Sequence, residues 1–245
     1  MLQQERQNII LNQLHIHHKV VTTDLCKLLK VSLDTVRRDL TELERGGKVV
    51  KVHGGAISTS YQTPFQQPNV YKKEEKKIIG RKALSILKEG MIILGGGGTI
   101  MLELARLMPK NFRATFFTVS PLVALELTQR SSINVILLGG SLRRDSYICT
   151  GAAVITQLAD IRADICLLGT NGLTAKAVSE RDWEVAQVKK AMLKSSARTA
   201  LLSLSEIFGI EQKMQVCKFS EIDYLITESS PEDLRIDLPP HLKRM

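Results

Sequence analysis

Residues 31–44 constrain the fold of this chain more than any other stretch. Val36, Leu40 and Leu43 recur at helical spacing and form one apolar stripe, while Asp34, Thr35, Arg37 and Arg38 fall on other faces. Ser32 is placed to accept a hydrogen bond from the first turn, and Gly46-Gly47 to end the helix. The spacing predicts a helix of about four turns with two arginines exposed near its start. A helix of that length fits the major groove of duplex DNA, N-terminal turns first.

Upstream, Thr23–Leu29 predicts a second short helix, capped by Thr22 or Thr23, and Lys30-Val31-Ser32 joins it tightly to the first. Two short helices so connected form a helix-turn-helix. A helix from Gln4 to about Leu14 would turn Ile9, Ile10 and Leu14 inward and close a three-helix core. Beyond the glycines, Lys48–His53 alternates enough for a short strand, and Gly54-Gly55 turns the chain back into Ala56-Ile57. An exposed arginine pair by itself describes an ordinary solvated surface. Two short helices, a turn, a basic face and a basic wing in this order point instead to DNA.

These residues resemble the N-terminal signature of the DeoR family of bacterial transcription regulators. The resemblance rests on Val31-Ser32, Thr35-Val36-Arg37-Arg38-Asp39-Leu40 and Leu43-Glu44 followed by His53-Gly54-Gly55-Ala56, and it covers the first 57 residues.

At 245 residues the chain is long enough for one small and one medium domain. It has no apolar run of bilayer-spanning length, and its start lacks the apolar core of a signal peptide, so it is expected to be cytoplasmic and not membrane-bound. Cys26, Cys149, Cys166 and Cys217 are scattered without a paired spacing, which argues against metal or disulfide use; no cofactor is expected. His15, His17 and His18 read as a solvated loop after the first helix. The formal charge is +9, with 13 Lys/Arg against 8 Asp/Glu in residues 1–80 and 21 against 17 in the remainder. The denser N-terminal excess suits a polyanion, with binding that weakens steeply with salt.

Residues 58–69 are polar, carry Pro64 and Pro68 and have no period, as a linker would. The division expected is 1–57 for DNA binding, 58–75 for the linker and the start of the second domain, and 76–245 for an α/β domain. From about Tyr71 a helix is expected with Ile78, Ile79, Ala83, Ile86 and Leu87 inward, its lysine pairs exposed and Gly90 ending it. Short apolar runs then alternate with amphipathic helices. Strands are expected at Met91–Leu94, Ala114–Val119, Asn134–Leu138, Asp164–Leu168, Ala200–Leu204 and Tyr224–Thr227. Helices are expected near Thr99–Met108, Leu122–Arg130, Ala152–Ala159 and Trp183–Ser195. Continuous apolar strands predict a mostly parallel sheet in a three-layer α/β/α arrangement, with any ligand beyond the strand C-terminal ends.

Three glycine loops fall there: Gly95-Gly96-Gly97-Gly98-Thr99, Gly139-Gly140 followed by Arg143-Arg144, and Gly169-Thr170-Asn171-Gly172. The first lacks the lysine of a Walker loop and the spacing of a dinucleotide fingerprint. Each is by itself an ordinary strand-to-helix turn; three at one sheet edge suggest a pocket.

This region is similar to the DeoR effector domain, whose fold is similar to ribose-phosphate isomerases and CoA-transferase-like proteins. The matching motifs are Gly97-Gly98-Thr99, Leu138-Gly139-Gly140, Leu168-Gly169, Glu184 with Lys189-Lys190-Ala191-Met192, and Phe208-Gly209. The resemblance implies a regulator, a repressor, that senses a phosphorylated sugar or similar metabolite. Departures run one way. The family's Asp-x-Gly-Thr-Thr is Gly95–Thr99 here, its Thr-Asn is Thr118-Val119, its Asp-x-Ser-Lys-Phe-Gly is Leu204–Gly209, and an arginine aligns with Pro68. Apolar groups cannot replace the hydration of a sugar phosphate, so a less hydrophilic ligand, or none, is expected.

Thr35, Arg37 and Arg38 are therefore expected to contact operator DNA, with Ser32, Lys51 and His53 toward phosphates. The effector-contacting candidates are Gly96, Gly97, Gly98, Thr99, Thr118, Gly139, Gly140, Arg143, Asn171, Glu184 and Lys189. A homo-oligomer would place half-sites one helical turn or a multiple apart, and an effector would reposition the DNA-binding heads across the linker. An alternative is a phosphosugar isomerase-like enzyme with an accessory DNA-binding domain, Glu184 and Lys189 acting as acid or base. No nucleophile–base pair is evident by spacing, and no catalysis is expected. A third reading makes the α/β domain an assembly scaffold.

Overall fold

The structure is a computed structural model that describes residues 2–17, 19–58, 72–129, 132–230 and 242–245, with side chains of the first helix described up to Leu14. It divides into two compact units, Met1–Tyr71 and Lys72–Met245, each taken here by itself.

The first unit contains α1 (Gln3–His17), β1 (Lys19–Val21), α2 (Thr22–Leu29), α3 (Leu33–Arg45), β2 (Val49–Val52) and β3 (Gly55–Ser58). Helix α1 runs through His17, so His15 and His17 continue the helix instead of opening a loop; the histidine side chains lie outside the described residues. Ile10, Leu14, Leu25, Leu29, Val36, Leu40 and Leu43 meet in one core. Removing each Leu or Ile from water contributes roughly 1.5–3 kcal/mol.

Helix α2 is capped by neither Thr22 nor Thr23. Its N-cap is Val21, with no side-chain hydrogen bond. Thr22 begins the helix and gives both its backbone N–H (2.9 Å) and its hydroxyl (3.0 Å) to the Gly54 carbonyl, so the wing supplies the acceptor a cap would. Strand β1, three residues without a readable period, was not expected. It pairs antiparallel with β3 in a sheet of order β1-β3-β2. Gly55 is required there: a Cβ would lie 2.0 Å from the Val20 carbonyl oxygen. Strand β3 continues through Ser58, paired with Val49, so the first residue of the expected linker is strand; residues 59–69 lie outside the described residues.

The second unit contains α4 (Lys73–Ser85), β4 (Ile92–Gly95), α5 (Thr99–Leu107), β5 (Ala114–Thr118), α6 (Pro121–Thr128), β6 (Ile133–Leu137), β7 (Ser141–Leu142), β8 (Cys149–Thr150) and α7 (Ala152–Ala159). It continues with β9 (Ile165–Gly169), β10 (Gly172–Leu173), β11 (Ala177–Glu180), α8 (Trp183–Lys194), β12 (Thr199–Leu202), β13 (Met214–Lys218), β14 (Tyr224–Ile226) and β15 (Lys243–Arg244). Seven strands form a parallel sheet of order β15-β14-β12-β9-β4-β5-β6. Its central members are continuous apolar runs because they are buried throughout; Ile165–Leu168 and Ala200–Leu202 have almost no exposed surface. From β4 the chain builds outward through β5 and β6, then returns to β9 on the other side of β4. That reversal is a topological switch point at the C-terminal ends of β4 and β9, the place where open α/β sheets bind ligands.

Two antiparallel pieces were not foreseen, the β7–β8 hairpin and a sheet of order β10-β11-β13. Strands β7, β8 and β10, of two residues each, carry no period to read. Helix α4 also differs: it ends at Ser85, and Gly90 serves a later turn with φ +80°. Ile78 is 38% exposed, whereas Lys76 is 3% exposed, with the carboxylates of Glu206, Glu103 and Glu75 acting on it. The lysine pairs therefore do not form one solvated face.

Among the described residues no helix is long and apolar enough to cross a membrane, and no three His, Cys, Asp or Glu side chains gather as a metal site. The four cysteines are free thiols; burial pushes Cys166 up and Cys217 up to about 12.

Candidate functional sites

In the first unit, Ser32 is extended and accepts a hydrogen bond from the Thr35 N–H at 3.3 Å, with the two hydroxyls 2.9 Å apart. This cap starts α3 where the sequence places it and fixes Thr35 on its first turn. Arg37 and Arg38 project from the next positions, both exposed. The Arg37 Nη1 lies 3.8 Å from Asp34 Oδ1, with both side chains more than half exposed, a pairing too weak in water to hold the guanidinium.

The wing is clipped to the same helix. Lys51 donates from Nζ to Thr41 Oγ1 (2.9 Å) and from its backbone N–H to Glu44 Oε1 (3.0 Å), while Thr41 donates to the Arg37 carbonyl (2.8 Å). His53 is exposed in the turn between β2 and β3. Ser32, Thr35, Arg37 and Arg38 thus share the start of α3, Lys51 lies against its outer turns, and His53 marks the wing turn. Sequence reading missed Thr41 and Glu44, whose partners lie seven to ten residues away. It also missed Asp39, an acid on the apolar stripe of α3. Asp39 is 1% exposed and receives Arg6 of α1, whose pKa is raised chiefly by that hydrogen bond.

At the switch point of the second unit, the Gly96 N–H donates to the Leu167 carbonyl at 3.0 Å and so knits β4 to β9. A Cβ on Gly97 would lie 2.8 Å from Ile148 Cγ1, and Gly98, at φ +99°, leads directly into Thr99 and α5. Thr118 is fully buried behind the loop, donates to the Gly96 carbonyl (3.4 Å) and accepts from the Ser120 N–H (3.1 Å), so its hydroxyl braces the backbone.

The second glycine loop closes on its own hairpin. A Cβ on Gly140 would lie 2.4 Å from the Thr150 carbonyl, and the Gly139 carbonyl accepts from Gln157 Nε2 at 2.9 Å. Arg143 reaches Asp182 Oδ2 through Nη2 (2.6 Å) and lies 3.7 Å from Glu184 Oε2 through Nη1; Glu184 also accepts from Thr150 Oγ1 (2.8 Å). Asp182 meanwhile caps α8 by accepting from the Val185 N–H at 3.0 Å.

Lys189 and Asn171 meet on a residue the sequence did not flag, Glu180. Its carboxylate, 1% exposed, takes the Lys189 ammonium on one oxygen and Asn171 Nδ2 (2.7 Å) on the other; Lys189 also donates to the Gly169 carbonyl (2.7 Å). Glu184 and Lys189 therefore belong to separate networks. The Leu204–Gly209 loop is likewise engaged within the fold, Glu206 with Lys72 (2.6 Å) and the Ser205 hydroxyl with Glu228 (2.5 Å).

A winged helix-turn-helix with an exposed basic face on α3 is the fold of a DNA-binding unit, and a parallel α/β unit follows it in the chain. Residues 6–62 match the DeoR-like helix-turn-helix domain, and residues 71–229 match the DeoR C-terminal sensor domain. Over 242 residues the chain is 31% identical to the HTH-type transcriptional repressor GlcR of Bacillus subtilis (strain 168), a match covering 97% of this chain and 93% of that one. It is 29% identical over 229 residues to the L-fucose operon activator of Escherichia coli (strain K12), covering 91% and 94% respectively. Among solved structures, ribose 5-phosphate isomerase A of Neisseria gonorrhoeae superposes with a TM-score of 0.43 at 12% identity, covering 58% of this chain and 56% of that one. The chain belongs to the DeoR family of transcription regulators.

Proposed function

We propose that the protein is a repressor that reads a specific operator through α3 and holds or releases it according to a small metabolite bound in the α/β unit. The observation that carries this reading is the face formed by Thr35, Arg37 and Arg38 behind the Ser32 cap, with Lys51 clipped beside it. Phosphate-directed groups fix register and the arginines read base edges. A small sequence-specific reader of this kind acts as a homo-oligomer on paired half-sites. Repression is favoured by the name of the GlcR relative, which matches over nearly the whole chain. The L-fucose relative is named an activator, so the sign is open to a direct test.

The α/β unit binds without turnover in this reading, since Lys189 is held by Glu180 and Gly169 and Glu184 by Thr150, not by each other. Its ligand differs from the sugar phosphates of the family pattern, whose polar partners are replaced at Gly95–Thr99 and Leu204–Gly209. Selection of bound duplexes from a random pool, repeated with cell metabolites present, tests the reading. One enriched sequence whose binding changes with a metabolite fraction supports it. Absence of any enriched sequence contradicts it. A reporter behind the selected operator then gives the sign, silenced by a repressor and induced by an activator.

A further inference from the structure

Helix α3 carries four carboxylates, and three of them are engaged inside the first unit. Asp39 receives Arg6, Glu42 accepts from Gln3 and Gln7, and Glu44 accepts from the Lys51 N–H. Asp34 differs. It is 81% exposed, accepts no hydrogen bond among the described residues, and has only the loose 3.8 Å approach of Arg37. Val36, Leu40 and Leu43 turn into the core, and Asp34 stands on the opposite face, one turn before Arg38 and two before Thr41. Together with Arg37, Arg38, Thr41, Glu42 and Arg45 it lines one shallow concavity.

A carboxylate in that place carries a cost on DNA. The phosphates of a duplex repel it wherever they attract the arginines of the same face, and at physiological salt that repulsion reaches about 8 Å. A base edge that offers a proton offsets the cost. In the major groove those donors are the cytosine N4 and adenine N6 amino groups. Adenine sets its N7 acceptor beside N6, and a carboxylate, which only accepts, has no proton to give it. Cytosine presents N4 with no acceptor of its own in that groove. The carboxylate therefore suits cytosine, while Arg37 and Arg38 suit the O6 and N7 of guanine. The weak Arg37 pairing leaves both side chains free to separate onto bases. A first-turn acid also favours the helix dipole, but a dipole contribution acts on every duplex alike and carries no base preference.

We propose that Asp34 is a specificity-determining residue: its carboxylate accepts from the N4 amino group of a cytosine in the operator and disfavours every other base there. The proposal rests on the reading of α3 as the recognition helix and adds to it a base that no arginine selects.

The test uses the full chain and the duplex it selects from a random pool, with each position then changed to the other three bases and titrated at equilibrium. At one position the parent should require cytosine, the other bases weakening binding by about tenfold. Asp34→Ala should level that position to within about twofold and leave the preferences elsewhere, and it should tighten binding to a scrambled duplex because a charge repelled by phosphates is gone. Asp34→Asn should move the preference to adenine, whose N6 and N7 an amide matches. Both substitutions fall on an 81% exposed side chain, so the variants fold as the parent does. Variants that keep the parent's preference at every position, or that weaken on all duplexes by one factor, overturn the proposal. Arg37→Ala is measured beside them. A base profile altered by Arg37→Ala and by neither Asp34 variant removes this proposal alone, whereas a profile altered by none of the three, or the absence of any selected duplex, removes α3 as the reading helix.

Discussion

Arg6 and Asp39 form a two-point ion pair inside the DNA-binding unit, Nε to Oδ2 at 2.7 Å and Nη2 to Oδ1 at 3.1 Å, that ties α1 to the recognition helix. Gln3 and Gln7 extend the tie by donating to Glu42 at 2.6 and 2.9 Å. Helix α3 is thus located by a buried charge as well as by its apolar stripe. A carboxylate left in such a place without its partner destabilises the fold. Arg6→Met should lower both the stability of this unit and its operator affinity. Asp34→Ala, at an 81% exposed side chain, should leave stability within experimental error. The effects of Arg6→Met and Asp39→Asn should be strongly non-additive in a double-mutant cycle followed by urea unfolding.

Ser32 contributes through the Thr35 N–H and not through bulk. Ser32→Ala should cost about 1 kcal/mol of the stability of the first unit, and Ser32→Asp should retain most of it. Urea midpoints of the three proteins provide the check.

Gly55 is needed for close approach. Its Cβ would lie 2.0 Å from a backbone oxygen that cannot move without displacing β1. Gly55→Ala should destabilise the wing by roughly 1–3 kcal/mol, seen as early amide exchange in β1 and β3.

Lys76 makes the second unit sensitive to alkaline pH in an unusual direction. Burial pushes its pKa down from 10.5 to about 8, against the opposing pull of Glu206, Glu103 and Glu75 and with the help of Lys72. Between pH 8 and 10.5 the unfolded chain therefore binds more protons at this site, and stability rises with pH by at most about 3 kcal/mol. Lys76→Met should remove that rise. Urea unfolding of parent and variant at pH 7.5, 9 and 10 would show the parent gaining on the variant toward high pH.

The parts of the molecule legible in sequence are those whose signals are local. Ser32, the Val36–Leu40–Leu43 stripe and Gly46-Gly47 specify α3 within sixteen residues, and the buried strands announce themselves as apolar runs. The illegible parts depend on partners far along the chain. Thr22 donates to Gly54, Lys76 lies in the field of Glu103 and Glu206, and Thr118 braces Gly96. Asn171 and Lys189 were readable as candidates, but their convergence on Glu180 was not, because β11 and α8 meet only after the chain has folded.

Arg37 is a side chain proposed to read operator bases. Equilibrium titration of a selected operator and of a scrambled duplex, at two salt concentrations, tests it most directly. Arg37→Ala should weaken operator binding by about 1–3 kcal/mol while changing scrambled-duplex binding little. Equal weakening on both duplexes would make Arg37 a phosphate contact, and unchanged affinity for both would contradict the assignment of α3 as the reading helix.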